Sequence, residues 1–97
     1  MKKFQVSITF KMDDEFMSFI PAHRSYINEL IEKGTIDHYA VTMESQRAWI
    51  TISAESKEEA DRLLSKSPIY KYWTSYVIEE LLVLDGQHYR LPSLQLN

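Results

Sequence analysis

The chain has 97 residues, a net charge of −3 from 11 basic and 14 acidic side chains, and no cysteine. That length suits one domain over residues 1–97, and a domain of this size buries only about 60–65% of the surface its unfolded chain exposes. The missing cysteine excludes disulfides, thiolate metal sites and cysteine nucleophiles, and it fits a cytoplasmic setting. No basic run marks a nucleic-acid footprint, and no apolar stretch approaches the roughly 18 residues of a membrane span.

Phe4, Val6, Ile8 and Phe10 alternate with Gln5, Ser7, Thr9 and Lys11, a period of two that predicts a strand with one buried face. It follows Met1-Lys2-Lys3 with no apolar signal region. Asp13 and Asp14 offer helix caps. From Phe16 to Gly34 the period changes. Phe16, Ile20, His23, Ile27 and Leu30 recur at helical spacing, and Gly34 stands where a helix-ending glycine would. Pro21 either kinks this helix or opens a second segment at its first turn.

Residues 36–43 read as a second strand and Glu44-Ser45-Gln46 as a tight connection. Arg47–Ala54 is a third strand, with Ala48, Ile50 and Ile52 on one face and Trp49, Thr51 and Ser53 on the other. So short a connection makes the pair an antiparallel hairpin. Ser56-Lys57-Glu58-Glu59 predicts a capping box, with Glu59 reaching back to the Ser56 amide. Ala60, Leu63 and Leu64 form the inner stripe of the helix it opens, and Pro68 lies beyond its end. Residues 73–84 are rich in strand formers, Asp85-Gly86 is a turn signal, and 85–97 reads as an extended C-terminal arm.

The order β-α-β-β-α-β plus a tail is the split pattern of an α+β, ferredoxin-like fold. Both helices cover one sheet face. The bulky residues of strand four on both its faces, together with Trp49, predict an apolar surface on the uncovered side. Such a surface implies a partner, most simply a second copy in a two-fold homodimer or a larger assembly of dimers.

His23 is the residue most open to chemistry. At about 100° per step it falls within roughly 20° of the centre of the apolar stripe, so the helix aims an ionisable ring at the sheet. It reads either as a general acid/base in a pocket or as a core histidine held by a hydrogen bond. Asp37 and His38 open strand two on opposite faces. Asp37 faces the helices if Tyr39, Val41 and Met43 do; His38 faces them if Ala40 and Thr42 do. Whichever points inward is placed to orient His23. Arg24 is suited to clamping a carboxylate, while Tyr26, Tyr70, Tyr72 and Trp73 are candidate lining for a flat organic ligand. His23, His38 and His88 lack metal-ligand spacing, so no metal is expected.

These residues resemble the dimeric α+β-barrel superfamily, in two ways. Pro21-Ala22-His23-Arg24-Ser25-Tyr26-Ile27 with Leu30 and Gly34, the stretch Ala54–Ala60, and Pro68 are similar to the YCII-related family. That resemblance implies a catalytic His23 paired with an aspartate, for which Asp37 is the match. Tyr26, Leu30 and Gly34, then His38, then Pro68-Ile69-Tyr70 and Tyr72 resemble the muconolactone isomerase family. Its members move a double bond in a small unsaturated lactone acid by proton transfer, without a cofactor. There the family's helix-one glutamate aligns with His23 and its basic neighbour with Arg24.

The expectation is therefore a cofactor-independent isomerase or lyase acting on a small, anionic organic acid. His23 shuttles the proton, Asp37 or His38 orients it, Arg24 and Tyr26 hold the substrate and Tyr72 closes the pocket. The rival is a non-catalytic small-ligand-binding or accessory dimer of YCII-related type. A haem-degrading or cofactor-free monooxygenase rests on fold analogy alone.

Overall fold

The structure, a computed structural model, describes residues 1–86. Four strands, β1 (Lys2–Phe10), β2 (Ile36–Thr42), β3 (Arg47–Ala54) and β4 (Trp73–Glu80), form one sheet in the order β2-β3-β1-β4, with every neighbouring pair antiparallel. Helices α1 (Asp14–Ser18), α2 (Ile20–Glu32) and α3 (Lys57–Leu64) complete the ferredoxin-like α+β architecture. A short 3-10 turn at Tyr70–Tyr72 leads into β4.

The alternation in β1 and β3 is realised residue by residue. Phe4 pairs with Ile52, Val6 with Ile50 and Ile8 with Ala48, and all six are buried on the helix side. Ile27 and Leu30 of α2, with Ala60 and Leu64 of α3, close over them. Pro21 opens a second segment rather than kinking one long helix. Phe19 separates α1 from α2, and the proline sits in the first turn of α2, where its missing amide hydrogen is not needed. Asp13 caps α1 by accepting the Phe16 amide at 2.8 Å.

Helix α2 ends in a Schellman arrangement. The Gly34 amide donates to the Ile31 carbonyl and the Thr35 amide to the Leu30 carbonyl, both at 2.9 Å. Gly34 takes φ +80° there, a conformation that costs a side-chain-bearing residue. In α3 Ser56 accepts the Glu59 amide, as a capping box requires. The Glu59 carboxylate, however, takes the Glu55 amide rather than that of Ser56.

Two expectations are corrected. Strand four stops at Glu80, not at residue 84. The last backbone bond along this edge runs from the Leu81 amide to the Lys3 carbonyl, one residue short of the start of β1 at Lys2. The uncovered sheet face is also more polar than predicted. Register places Lys3, Gln5, Ser7 and Thr9 there beside Ser53, Thr51, Ser75 and Glu79, with Trp49 and Val77 as its large apolar members. Leu82 and Val83 lie beyond the strand. The argument for a partner from a broad apolar back loses that support. The arm expected over 85–97 lies, beyond Gly86, outside the described residues.

An alanine at position 34 meets no atom within 4 Å, so its cost is the backbone conformation alone. Gly34→Ala is expected to lower stability by about 1 kcal/mol, read as a lower urea midpoint at unchanged slope.

Candidate functional site

His23 projects from the inner face of α2, and its ring is only 1% exposed. Both nitrogens are answered by protein oxygens at 2.7 Å: Nδ1 by Ser67 Oγ and Nε2 by the Tyr39 hydroxyl. Ser67 is buried in the segment after α3. It is held there by its own amide, which donates to the Leu64 carbonyl, and by its carbonyl, which accepts the Tyr70 amide. Its Oγ also accepts the Ile69 amide at 3.3 Å. Tyr39 stands on the helix side of β2, paired with buried Ile50.

Burial, with the Arg24 guanidinium beside it, holds the His23 imidazole down to about 4, so the ring is neutral at pH 7. Burial pushes the Tyr39 phenol up from its ordinary value, with Arg24 pulling the other way. The Arg24 guanidinium carbon lies 5.6 Å from the centre of the Tyr39 ring.

His23, Arg24 and Tyr39 border a cavity of about 310 Å³. Its wall is mainly apolar, including Phe10, Phe16, Ile50 and Trp73, while Met17, Val41 and Met43 are partly exposed at its mouth. The charged and hydrogen-bonding groups on that wall are His23, Arg24, Tyr39 and the Trp73 indole.

Of the residues named from sequence, the structure brings His23, Arg24 and Trp73 together on this wall. Asp37 and His38 lie elsewhere, because β2 carries a bulge between Ile36 and His38. Ile36 pairs with Ile52 and Tyr39 with Ile50, which leaves two residues of β2 opposite Thr51 alone. Both Ile36 and Tyr39 therefore face the helices, while Asp37 turns to the opposite face. There its carboxylate takes the Lys3 ammonium at 2.8 Å, and that ammonium also donates to Ser53. His38 pairs with Thr51 and is exposed. Neither is placed to orient His23.

Tyr26 donates to the Leu63 carbonyl at 2.7 Å and ties α2 to α3, away from the cavity wall. Tyr72 packs its ring edge-on against Phe16 and hydrogen-bonds to the Glu15 carboxylate, which pushes its phenol up to about 12. It too is off the wall.

Tyr39 and Ser67 are the partners that the sequence reading missed. A buried tyrosine needs a hydrogen-bond partner and so does a buried histidine, so Tyr39 was detectable in principle. Nothing local distinguishes Ser67. Among the described residues, no group of three or more His, Asp or Glu side chains is arranged to hold a metal, and no helix is long and apolar enough to cross a membrane.

No protein-family model matches the chain, and no curated protein sequence matches it. Solved structures do. The chain is similar to muconolactone isomerase with 17% identity and a TM-score of 0.68, over 88% of this chain and 93% of that one. It is similar to the 5-chloro-2-hydroxyhydroquinone dehydrochlorinase TftG of Burkholderia phenoliruptrix AC1100, solved with 2,5-dihydroxybenzoquinone. There the identity is 17% and the TM-score 0.62, over 88% and 97% of the two chains. A third likeness is to MtbAldR, at 12% identity and a TM-score of 0.54, over 88% of this chain and 57% of that one. At these identities the likeness establishes the architecture alone: the chain has the ferredoxin-like α+β fold that muconolactone isomerase and TftG also have.

Proposed function

We propose that this protein is a cofactor-independent isomerase or lyase that moves a proton on a small organic acid, using the hydrogen-bonded chain Ser67–His23–Tyr39. The observation that carries the reading is a neutral, buried imidazole on the wall of a cavity of about 310 Å³, bonded at both nitrogens to hydroxyl groups. Tyr39 gives its hydroxyl hydrogen to the bound acid and later takes one back, and the phenolate formed in between is held by the His23 imidazole and the Arg24 cation, so no charge is left on the buried ring. Arg24, exposed at the cavity, supplies the cation that an acid needs. The fold shared with an isomerase and a dehydrochlorinase is compatible with this chemistry and does not select the substrate.

The nearly continuous apolar wall favours a second reading, a binding module that holds a small ligand without turning it over. One experiment separates the two. Muconolactone and 2,5-dihydroxybenzoquinone, with a panel of unsaturated ring acids, are offered to the protein and to His23→Ala, and products are followed by NMR. The first reading expects turnover that falls at least about 100-fold in the variant. Equal rates in both proteins reject it, and binding without turnover across the panel favours the module.

Resemblance to the dimeric barrels extends the proposal to a homodimer joined through the sheet face opposite the helices. Light scattering on the purified chain is expected to give twice the chain mass; a monomer at micromolar concentration rejects this part.

The neutral state of His23 leaves a mark on stability. Its folded-state pKa, about 4, lies below the 6.5 of the unfolded ring. Between those values the unfolded chain binds a proton that the folded chain refuses. Stability is therefore full above pH 6.5, falls as pH drops toward 4, and levels off below that. The loss from this group is up to about 3 kcal/mol. A series of urea midpoints from pH 7 to pH 4 should show this slope, and His23→Gln should flatten it.

A further inference from the structure

The hydrogen bonds around His23 have a direction, and following it leads to a ligand site. An amide hydrogen only donates, so the Ile69 amide makes Ser67 Oγ an acceptor at that contact. Ser67 is buried, and its own hydroxyl hydrogen needs an acceptor. His23 Nδ1, 2.7 Å away, is positioned to be that acceptor. If Nδ1 accepts, the neutral ring carries its hydrogen on Nε2 and donates it to the Tyr39 oxygen, also at 2.7 Å. The Tyr39 oxygen then accepts from His23, and the Arg24 guanidinium, which lies over the Tyr39 ring and hydrogen-bonds to its hydroxyl, is a donor as well. The Tyr39 hydroxyl hydrogen is left with no acceptor in this cluster, on a residue that borders the cavity.

The reverse sense, with hydrogen on Nδ1, gives Ser67 Oγ two donors and leaves its buried hydrogen without a use in the chain, which costs stability. The forward sense gives Ser67 and His23 one accepted and one donated bond each along the chain. The neutral ring it requires matches the depressed basicity of His23.

We propose that Tyr39 and Arg24 form a donor-only binding site for an anionic oxygen at the polar end of this cavity, and that its ligand is a ring-bearing acid. The carboxylate or enolate oxygen meets the Tyr39 hydroxyl and the Arg24 guanidinium. The ring lies along the apolar wall of Phe10, Phe16, Met12 and Trp73. His23 is a positioning residue in this arrangement: it fixes the direction of the tyrosine hydroxyl and does not touch the ligand. The inference deepens the proton-transfer reading and rests on it for the role of the site, but its test is a binding test and does not need turnover.

The full chain, labelled with nitrogen-15, is studied by two-bond correlation of the imidazole nitrogens at pH 7. Hydrogen on Nε2 and an unprotonated Nδ1 is the expected result; hydrogen on Nδ1, or on both, overturns the proposal. Benzoate and benzyl alcohol are then titrated against the fluorescence of Trp73, in a Trp49→Phe background that removes the indole on the opposite sheet face. Benzoate is expected to bind at least about tenfold more tightly than benzyl alcohol. Tyr39→Phe and Arg24→Gln, each checked for native circular dichroism, should each erase most of that difference while leaving benzyl alcohol unchanged.

No binding of benzoate at up to roughly 10 mM, a level that detects even very weak sites, overturns the proposal. So does benzoate affinity in Tyr39→Phe equal to that of the parent. The proton-transfer reading fails separately, when His23→Ala turns over substrate at the parental rate.

Discussion

Taking the His23 ring out of water obliges the protein to answer both of its nitrogens, and the two answers pin three distant pieces of chain together. Ser67 follows α3, Tyr39 belongs to the edge strand β2, and the histidine itself rides on α2. An edge strand has one sheet neighbour only, here β3. The bond from α2 to Tyr39 therefore adds a second restraint on a strand that backbone pairing holds from one side. Leaving a buried donor or acceptor unanswered costs about 1–3 kcal/mol, so a substitution at either partner acts on the fold as well as on the cavity. The same burial that makes the bonds necessary also discharges the ring, which links the packing of the site to its chemistry.

A single extra residue decides which side chain meets that ring. Strict alternation from buried Ile36 would bring His38 inward, followed by Ala40 and Thr42. Strict alternation back from Tyr39 would bring Asp37 inward. The bulge breaks the period between them, so Ile36 and Tyr39 share the helix side while Asp37 and His38 do not reach it. The carboxylate that either simple register would trade against an imidazole is instead neutralised by Lys3 on the opposite face. A phenol takes the place near His23. The bulge exchanges an ionised partner for a neutral one, consistent with a histidine that stays uncharged in the folded state.

What could be read from the sequence was what depends on neighbours along the chain. The period of two in β1 and β3, the Gly34 helix end and the Ser56 cap are each fixed within a few residues, and each appears in the structure. The inward aim of His23 was legible for the same reason, since helical spacing from Phe16 to Leu30 sets it. Its partners were not. Tyr39 lies 16 residues away across a bulge, and Ser67 lies 44 residues away in a segment with no periodicity. The end of β4 escaped for a related reason: its residues favour a strand beyond Glu80, but a strand is set by pairing across the sheet, and that pairing with β1 ends at the Lys3 carbonyl. Tyr26 and Tyr72 were expected to hold the substrate and close the pocket, and neither lines the cavity. Each uses its hydroxyl outside the cavity, on Leu63 and Glu15.

The distribution of charge in the site follows from the adjacency of His23 and Arg24. Were both protonated, two positive charges would lie within one helical turn, one of them buried. Desolvation penalises a charge in proportion to how completely water is removed, so the conflict resolves at the buried group. His23 gives up its proton, and Arg24, exposed at the cavity, keeps its charge. The site thus has its cation on the water-exposed side of the cavity, and a neutral donor–acceptor ring in the depth, where a fixed charge would be costly. An apolar wall strengthens whatever electrostatic contact is made against it, because little water remains to screen the interaction. A cavity with few polar groups is for that reason not chemically idle. On the proposed reading, its Arg24–Tyr39 end governs both the orientation of a bound acid and the sign of charge it accepts.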